Sequence, residues 1–514
     1  MILINGETLT LQQLNDVARK NARVMLAPEG IQKISTAHGW LENIQKQEMP
    51  VYGINTGFGI FADRRIQPED SQQLSRNLIL SHSVPVGEPL PEEIVRAGML
   101  VRANALAAGH SGVRIEIVER LLEMLNNGVI PVIPSQGSLG SSGDLCLLSQ
   151  MALVLTTDEK DLDNESGFAH FQNERMTGKS AMKKAGLKRI ILGAKEGLAL
   201  SNGASFCAGL AALVIEEMEY LLTNSIASAG ISLEALRGCS AAFDPRIHSA
   251  RNHPGQVYVA DMIRSLFSGS TLIDSSRRVQ DAYTLRCTPQ VLGPAVELLQ
   301  FIRPQVEREI NAATDNPLLF EGDVSLSGGN FHGENIGLTM DYAGIALAEI
   351  GAISERRIYR LLSSAMNDGL PAMLVNDMQS AGLHSGYMMP HYTVAALVLE
   401  NQTLAHPDSV HSLPTSDGQE DHNANAWTAA MHAKQILDNV RKIIAIEYLC
   451  AARALELRLE NEKELHPGTG TSKVFDQIRR LVPRARKGDQ WLQPAILRIE
   501  NALREREILV PGKH

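Results

Sequence analysis

The segment Ile133-Pro134-Ser135-Gln136-Gly137-Ser138-Leu139-Gly140-Ser141-Ser142-Gly143-Asp144-Leu145 crowds small residues together and then resumes an apolar run. Such a stretch lets backbone approach backbone. Lacking a Cβ, Gly143 reaches conformations closed to other residues, and its amide nitrogen could be pressed against the carbonyl carbon of Ser141. Closing that ring, with loss of water from it and from the Ser142 side chain, would leave an exocyclic methylidene conjugated to an imidazolone. No unmodified side chain offers such an electrophile. By spacing alone a second reading stands beside it: a Ser/Gly loop capping the next helix, with Asp144 near that helix's positive end. Two other motif readings fail. Gly140-Ser141-Ser142-Gly143 lacks the closing glycine of a G-x-S-x-G elbow, and Gly57-Phe58-Gly59 has no βαβ context for a dinucleotide.

The remaining reactive residues are dispersed. The histidines at 384, 391, 406, 411 and 422 form neither an HExxH nor a paired Cys/His spacing, so no metal site is expected. Cys146, Cys207, Cys239, Cys287 and Cys450 are odd in number and never in a CxxC pair, which reads as reduced thiols. Taken singly, Tyr52 reads as a core tyrosine, Arg286 as a salt-bridge partner and Glu420 as a solvated carboxylate.

The elements that must position these residues are mostly helices. Ile436, Val440, Ile443 and Ile444 mark one helical face, and Leu338, Tyr342, Ile345 and Ile353 suggest another. Residues 206–222 are apolar on most sides, as in a helix buried within a bundle. The polar stretch 156–188 interrupts the pattern and serves as a soft boundary. The division expected is 1–200, a region carrying the Ser/Gly loop, and 201–514, a helical bundle with substrate-binding loops. With 514 residues, 44% of them hydrophobic, the chain is long enough for a large core and two lobes. Aromatics at 4% leave that core to Leu, Ile, Val, Ala and Met. A formal charge of −10 with dispersed Lys and Arg argues against nucleic-acid or anionic-membrane partners, leaving a small-molecule substrate. The N-terminus has no signal-peptide pattern and no later stretch reads as apolar for about 18 residues, so a cytoplasmic location is expected.

Residues 137–145 resemble the signature of the ammonia-lyases and aminomutases that carry a methylidene-imidazolone (MIO) group. Further motifs resemble that family in its order: Tyr52-Gly53-Ile54-Asn55-Thr56-Gly57-Phe58-Gly59, Ser81-His82, Asn202-Gly203, Gln280-Asp281-Ala282-Tyr283-Thr284-Leu285-Arg286, Gly328-Gly329-Asn330-Phe331-His332 and Gln419-Glu420-Asp421-His422. The resemblance runs from about Gly6 to Leu457, and several specific motifs in one order make coincidence improbable. It implies a mainly α, fumarase/aspartase-like architecture with a long central bundle and a smaller N-terminal MIO-bearing region. It also implies a homotetramer whose active sites combine residues of different subunits.

The resemblance assigns roles residue by residue. MIO would form from Ser141-Ser142-Gly143, with no external cofactor. Tyr52 would take the β-proton, which needs a phenol stabilised in its ionised form. Arg286 would hold the substrate carboxylate with its fixed fork of donors. Tyr283, Asn202 and Gln280 would orient the reacting groups, and Phe331 would wall the pocket. In relatives that act on histidine, residues at the positions of His82 and Glu420 contact the imidazole, whereas tyrosine-specific relatives have glutamine for the glutamate. Glu420 thus points to L-histidine as substrate and urocanate as product. Three departures stand out: Ser141 for the usual alanine, Cys146-Leu147-Leu148 for Ala-Pro-Leu, and Asn423-Ala424-Asn425-Ala426-Trp427 for Val-Ser-Met. The rival readings are a histidine 2,3-aminomutase or tyrosine ammonia-lyase, and a catalytically silent helical oligomer. The fumarase-type lyases share a GSS loop, but no lysine-and-asparagine signature follows Gly140-Ser141-Ser142.

Overall fold

Long windows of apolar residues at helical spacing become long helices, the longest being Ser205–Ala235, Thr288–Glu309, Glu334–Leu362 and Ala426–Asn461. A computed structural model describes residues 1–47, 50–276, 278–376, 378–484 and 488–511. Among these the fold is mainly α, with only two- and three-stranded sheets. The polar stretch 156–188 lies inside one compact unit and forms local structure: strands Phe168–Phe171 and Glu174–Thr177 pair antiparallel and precede helix Gly178–Lys184.

The chain forms two compact units, and neither follows a single cut at residue 200. The first unit comprises Met1–Glu216, Ile302–Asp341 and Pro407–Met431; the second comprises Glu217–Phe301, Tyr342–His406 and His432–His514. Sequence windows cannot reveal this discontinuity, because the segments that close a unit lie hundreds of residues apart.

In the first unit, helix Glu92–Ala107 is buried almost all round. It meets the start of Ser205–Ala235 backbone to backbone. A Cβ on Gly98 would fall 2.6 Å from the Phe206 ring, and one on Gly209 would fall 2.9 Å from Ala97. Residues 206–215 are buried, as their all-round apolarity requires, and each buried Leu or Ile contributes about 1.5–3 kcal/mol of transfer free energy. In the second unit, Ile436, Val440, Ile443 and Ile444 are fully buried. Gly344 and Gly351, two turns apart, bring the facing helix close to Ile436 and Ile443. There the buried Arg357–Glu447 pair (2.5 Å) also takes hydroxyl donors from Ser228, Ser232 and Ser354. Removing either partner would leave an uncompensated buried charge, at about 3–5 kcal/mol.

Helix Glu334–Leu362 corrects two expectations. Leu338, Tyr342 and Ile345 lie on its exposed side, and the buried set is Ile336, Met340, Ala343, Leu347 and Ile350, joined by Ile353. Both sets have helical spacing, so periodicity identified a helix without choosing its inward face. The helix is also long and apolar enough to cross a membrane by length and hydropathy, which the sequence reading missed, although 61% of that window is buried inside the protein.

Candidate active site

The first unit contains a cavity of ≈ 720 Å³ on which Tyr52, His82, Ser142, Asn202 and Glu420 converge. Each is delivered by a different piece of local structure. Val51 and Ile54 anchor the Tyr52 turn on Leu41, Ile44 and Leu319. Asn55 Oδ1 accepts the Val51 amide at 2.6 Å, and Gly53 takes φ +68° where a Cβ would strike Leu198 at 2.5 Å. His82 ends helix Ser71–His82, its Nδ1 3.0 Å from Ser81 Oγ. Glu420 closes a turn by pairing with Thr415, whose hydroxyl donates to its carboxylate at 3.0 Å.

Asn202 follows the short helix Glu196–Ser201. Its Nδ2 donates to the Ser142 carbonyl at 3.0 Å, and the Gly203 amide donates to the same oxygen at 3.3 Å. Asn202 Oδ1 is buried without a partner. Gly143 takes φ +76° and bridges Gly203, and a Cβ there would overlap the Gly203 backbone. The Ser141-Ser142-Gly143 tripeptide therefore lies in a cradle that accepts only glycine at its third position. The middle carbonyl has two donors aimed at it, and an orphan acceptor stands alongside. These features fit an MIO group built from that tripeptide.

Asp144 departs from the capping reading. It precedes helix Leu145–Leu155 but makes no side-chain cap there. Its fully buried carboxylate instead accepts the Phe206 and Cys207 amides (2.7 and 2.9 Å) and the Ser138 hydroxyl (3.0 Å). It thus caps the start of Ser205–Ala235 and binds the loop to it. Burial pushes its carboxyl above the usual carboxylate range, with those hydrogen bonds opposing. Arg102 is another residue sequence reasoning missed. Fully buried, it donates to the carbonyls of Ala199 (2.7 Å) and Asn202 (2.6 Å), fixing the turn that presents the Asn202 amide. Burial lowers its pKa, with Asp315 and Asp144 opposing. The available signal was an arginine set, like Arg96 and Asn104, within the mostly apolar run 94–107.

Electrostatics inside the cavity run against an ionised Tyr52. Burial raises its pKa, the Gly59 backbone bond opposes this, and Glu420 and Asp315 add to the rise. Burial lowers His82, with the backbone at Leu78 and the Glu420 charge opposing, so its imidazole is neutral at pH 7.

Gln280, Tyr283 and Arg286 belong to the second unit. Gln280 is exposed, Tyr283 is 72% exposed, and the Arg286 guanidinium stacks over the Tyr283 ring at 4.8 Å with its Nε buried and unpartnered. Phe331 is half-buried in the first unit and does not line the 720 Å³ cavity. Its neighbour His332 donates from Nε2 to the His422 carbonyl (3.1 Å), which ties the Gly328–Gly329–Asn330 segment to the Glu420 loop. All five cysteines are free thiols, and the described residues contain no cluster of three potential metal ligands.

The profile of the aromatic amino acid lyases matches residues 9–480, and the chain belongs to that family. Histidine ammonia-lyase of Caldanaerobacter subterraneus subsp. tengcongensis is 46% identical over 485 residues, 94% of this chain and 92% of that one. The histidine ammonia-lyase structure from Trypanosoma cruzi superposes with TM-score 0.89 at 36% identity, covering 99% of this chain and 94% of that one. Tyrosine aminomutase from Streptomyces globisporus gives TM-score 0.91 at 34% identity, covering 99% and 97%.

Proposed function

We propose that this chain is a cytoplasmic histidine ammonia-lyase that converts L-histidine to urocanate and ammonium, working as a homotetramer with shared active sites. The observation that carries this reading is the convergence of Glu420 and His82 on the cavity that also holds Ser142 and Asn202. An anionic carboxylate beside a neutral imidazole suits a substrate ring that donates N–H or bears positive charge. A histidine ammonia-lyase shares 46% of 485 aligned residues with this chain, which supports the same substrate.

Cyclised and dehydrated, Ser141-Ser142-Gly143 supplies an electrophilic carbon toward the substrate amine. The rest is done by ordinary side chains. Asn202 Nδ2 and the Gly203 amide hold charge that develops on the Ser142 oxygen, as an oxyanion hole does. Asn202 Oδ1, otherwise unpartnered, accepts an N–H of the substrate ammonium. That ammonium brings positive charge toward Tyr52, offsetting the burial that keeps the phenol protonated and allowing it to take the β-proton. Arg286 grips the carboxylate with two parallel donors, and Gln280 and Tyr283 orient the leaving amine. Phe331, which does not line the cavity within one chain, walls the pocket only in the assembled tetramer. The exposure of Tyr283 and Gln280 in a single chain supports their use in an assembled tetramer.

The test is a panel of L-histidine, L-tyrosine and L-phenylalanine against wild type and Glu420→Gln, following urocanate absorbance and product NMR. Wild type is expected to prefer histidine, with that activity selectively lost in the variant. Equal turnover of all three removes the substrate assignment, and β-histidine as main product replaces lyase by aminomutase.

A further inference from the structure

Two of the three departures from the family pattern meet in space. The hydroxyl of Ser141, where alanine is usual, accepts the backbone amide of Ala424 at 3.1 Å across 283 positions of sequence. Ala424 is fully buried and Ser141 is 4% exposed, so this amide has its acceptor only because residue 141 carries a hydroxyl. The Ser141 hydroxyl points back to the Leu139 carbonyl at 3.4 Å. Next to Ala424, Asn423 closes the base of the loop that carries Glu420: its amide donates to Ser412 Oγ at 2.8 Å and its side chain to the Leu413 carbonyl. On the other side, Trp427 Nε1 donates to the Ser135 carbonyl at 2.7 Å, and a Cβ on Gly140 would lie 2.7 Å from the Ala426 methyl. Segment 423–427 thus lies along loop 135–141 and is bonded to it at both ends.

We propose that Ser141, Asn423 and Trp427 form a tie between the MIO-forming tripeptide and the Glu420 loop, making Ser141 and Asn423 positioning residues that set substrate selectivity. The connection is continuous: Ser141 holds Ala424, Asn423 holds Ser412 and Leu413, and the closed loop between them presents Glu420 on Thr415. Glu420 can discriminate one ring from another only if its distance from the reacting carbon is fixed, because carboxylate recognition is lost with small displacements. A serine at 141 is therefore no relic of a drifted signature. Restoring the usual alanine would leave the Ala424 N–H buried without an acceptor, and this chain's own segment 423–427 is fitted to the serine. The selectivity part rests on the histidine ammonia-lyase reading; the tie itself does not.

The experiment compares wild type, Ser141→Ala, Asn423→Ala and Ser141→Thr as full-length protein. Intact mass is expected to show two waters lost in all four. Hydrogen exchange of peptides within 412–427 is expected to accelerate about tenfold in the two alanine variants, the value of one buried hydrogen bond, and to return toward wild type in Ser141→Thr. The ratio of kcat/KM for L-histidine over L-tyrosine is expected to fall about tenfold in the alanine variants, mainly through KM. Unchanged exchange overturns the tie. Faster exchange with an unchanged ratio overturns its role in selectivity, and failure of Ser141→Ala to lose both waters assigns Ser141 to ring formation instead. If wild type turns over no histidine, the substrate reading fails while the exchange result still decides the tie.

Discussion

Replacing Asn202 by alanine isolates one arm of the site. Two donors converge on the Ser142 carbonyl, Asn202 Nδ2 at 3.0 Å and the Gly203 amide at 3.3 Å. The substitution deletes the shorter and leaves the backbone one. Loss of a single oxyanion donor costs about 10²–10³-fold in kcat, or about 2.7–4 kcal/mol, and the surviving amide places the expectation near the lower end. Stability should change by only about 1 kcal/mol, since that side chain makes one hydrogen bond and its Oδ1 has no protein partner to lose. Asn202→Asp keeps the shape but sets an oxygen against the Ser142 oxygen, and should be more damaging than alanine. The assay is steady-state kcat with L-histidine on protein whose intact mass shows both waters lost, alongside thermal unfolding. A fully dehydrated alanine variant within about fivefold of wild-type kcat would refute the argument that Asn202 holds developing charge.

Two further outcomes follow from the geometry. Gly143→Ala should retain both waters in its intact mass, because its Cβ would overlap the Gly203 backbone at a left-handed φ of +76° and force apart the bond from Asp144 N to Gly203 O; complete dehydration in the variant would refute the cradle. Glu309 lines a second cavity of ≈ 490 Å³ with His110 and His332, and burial, aided by the Asp144 charge, pushes its carboxyl up to about 7. A folded pKa above the unfolded one means the associated stability is present below about pH 4.5 and lost as pH rises through 7. Glu309→Gln removes that titration, so denaturant unfolding should show it gaining up to roughly 3 kcal/mol on wild type between pH 5 and pH 8, and parallel pH curves would contradict the assignment.

Some of this protein was written in local order. The tripeptide, the Tyr52 turn, His82 and Asn202 are recognisable as short motifs, because turn geometry and helix ends depend on neighbours a few residues away. The apolarity of 206–222 on most sides likewise required burial, which holds throughout 206–218, and the spacing of Ile436, Val440, Ile443 and Ile444 identified a true inward face. Tertiary structure decided the rest. Leu338, Tyr342 and Ile345 have the same period as the buried set on their helix, and only the neighbouring elements choose between two apolar faces. Asp144 caps a helix 62 positions away rather than its own, and Arg102 supports Asn202 from across 100 positions. Ser141 reaches Ala424 across 283. Such bonds leave no periodic trace in the chain, because hydrogen-bond partners are selected by where the backbone has been brought, and that is a property of the fold as a whole.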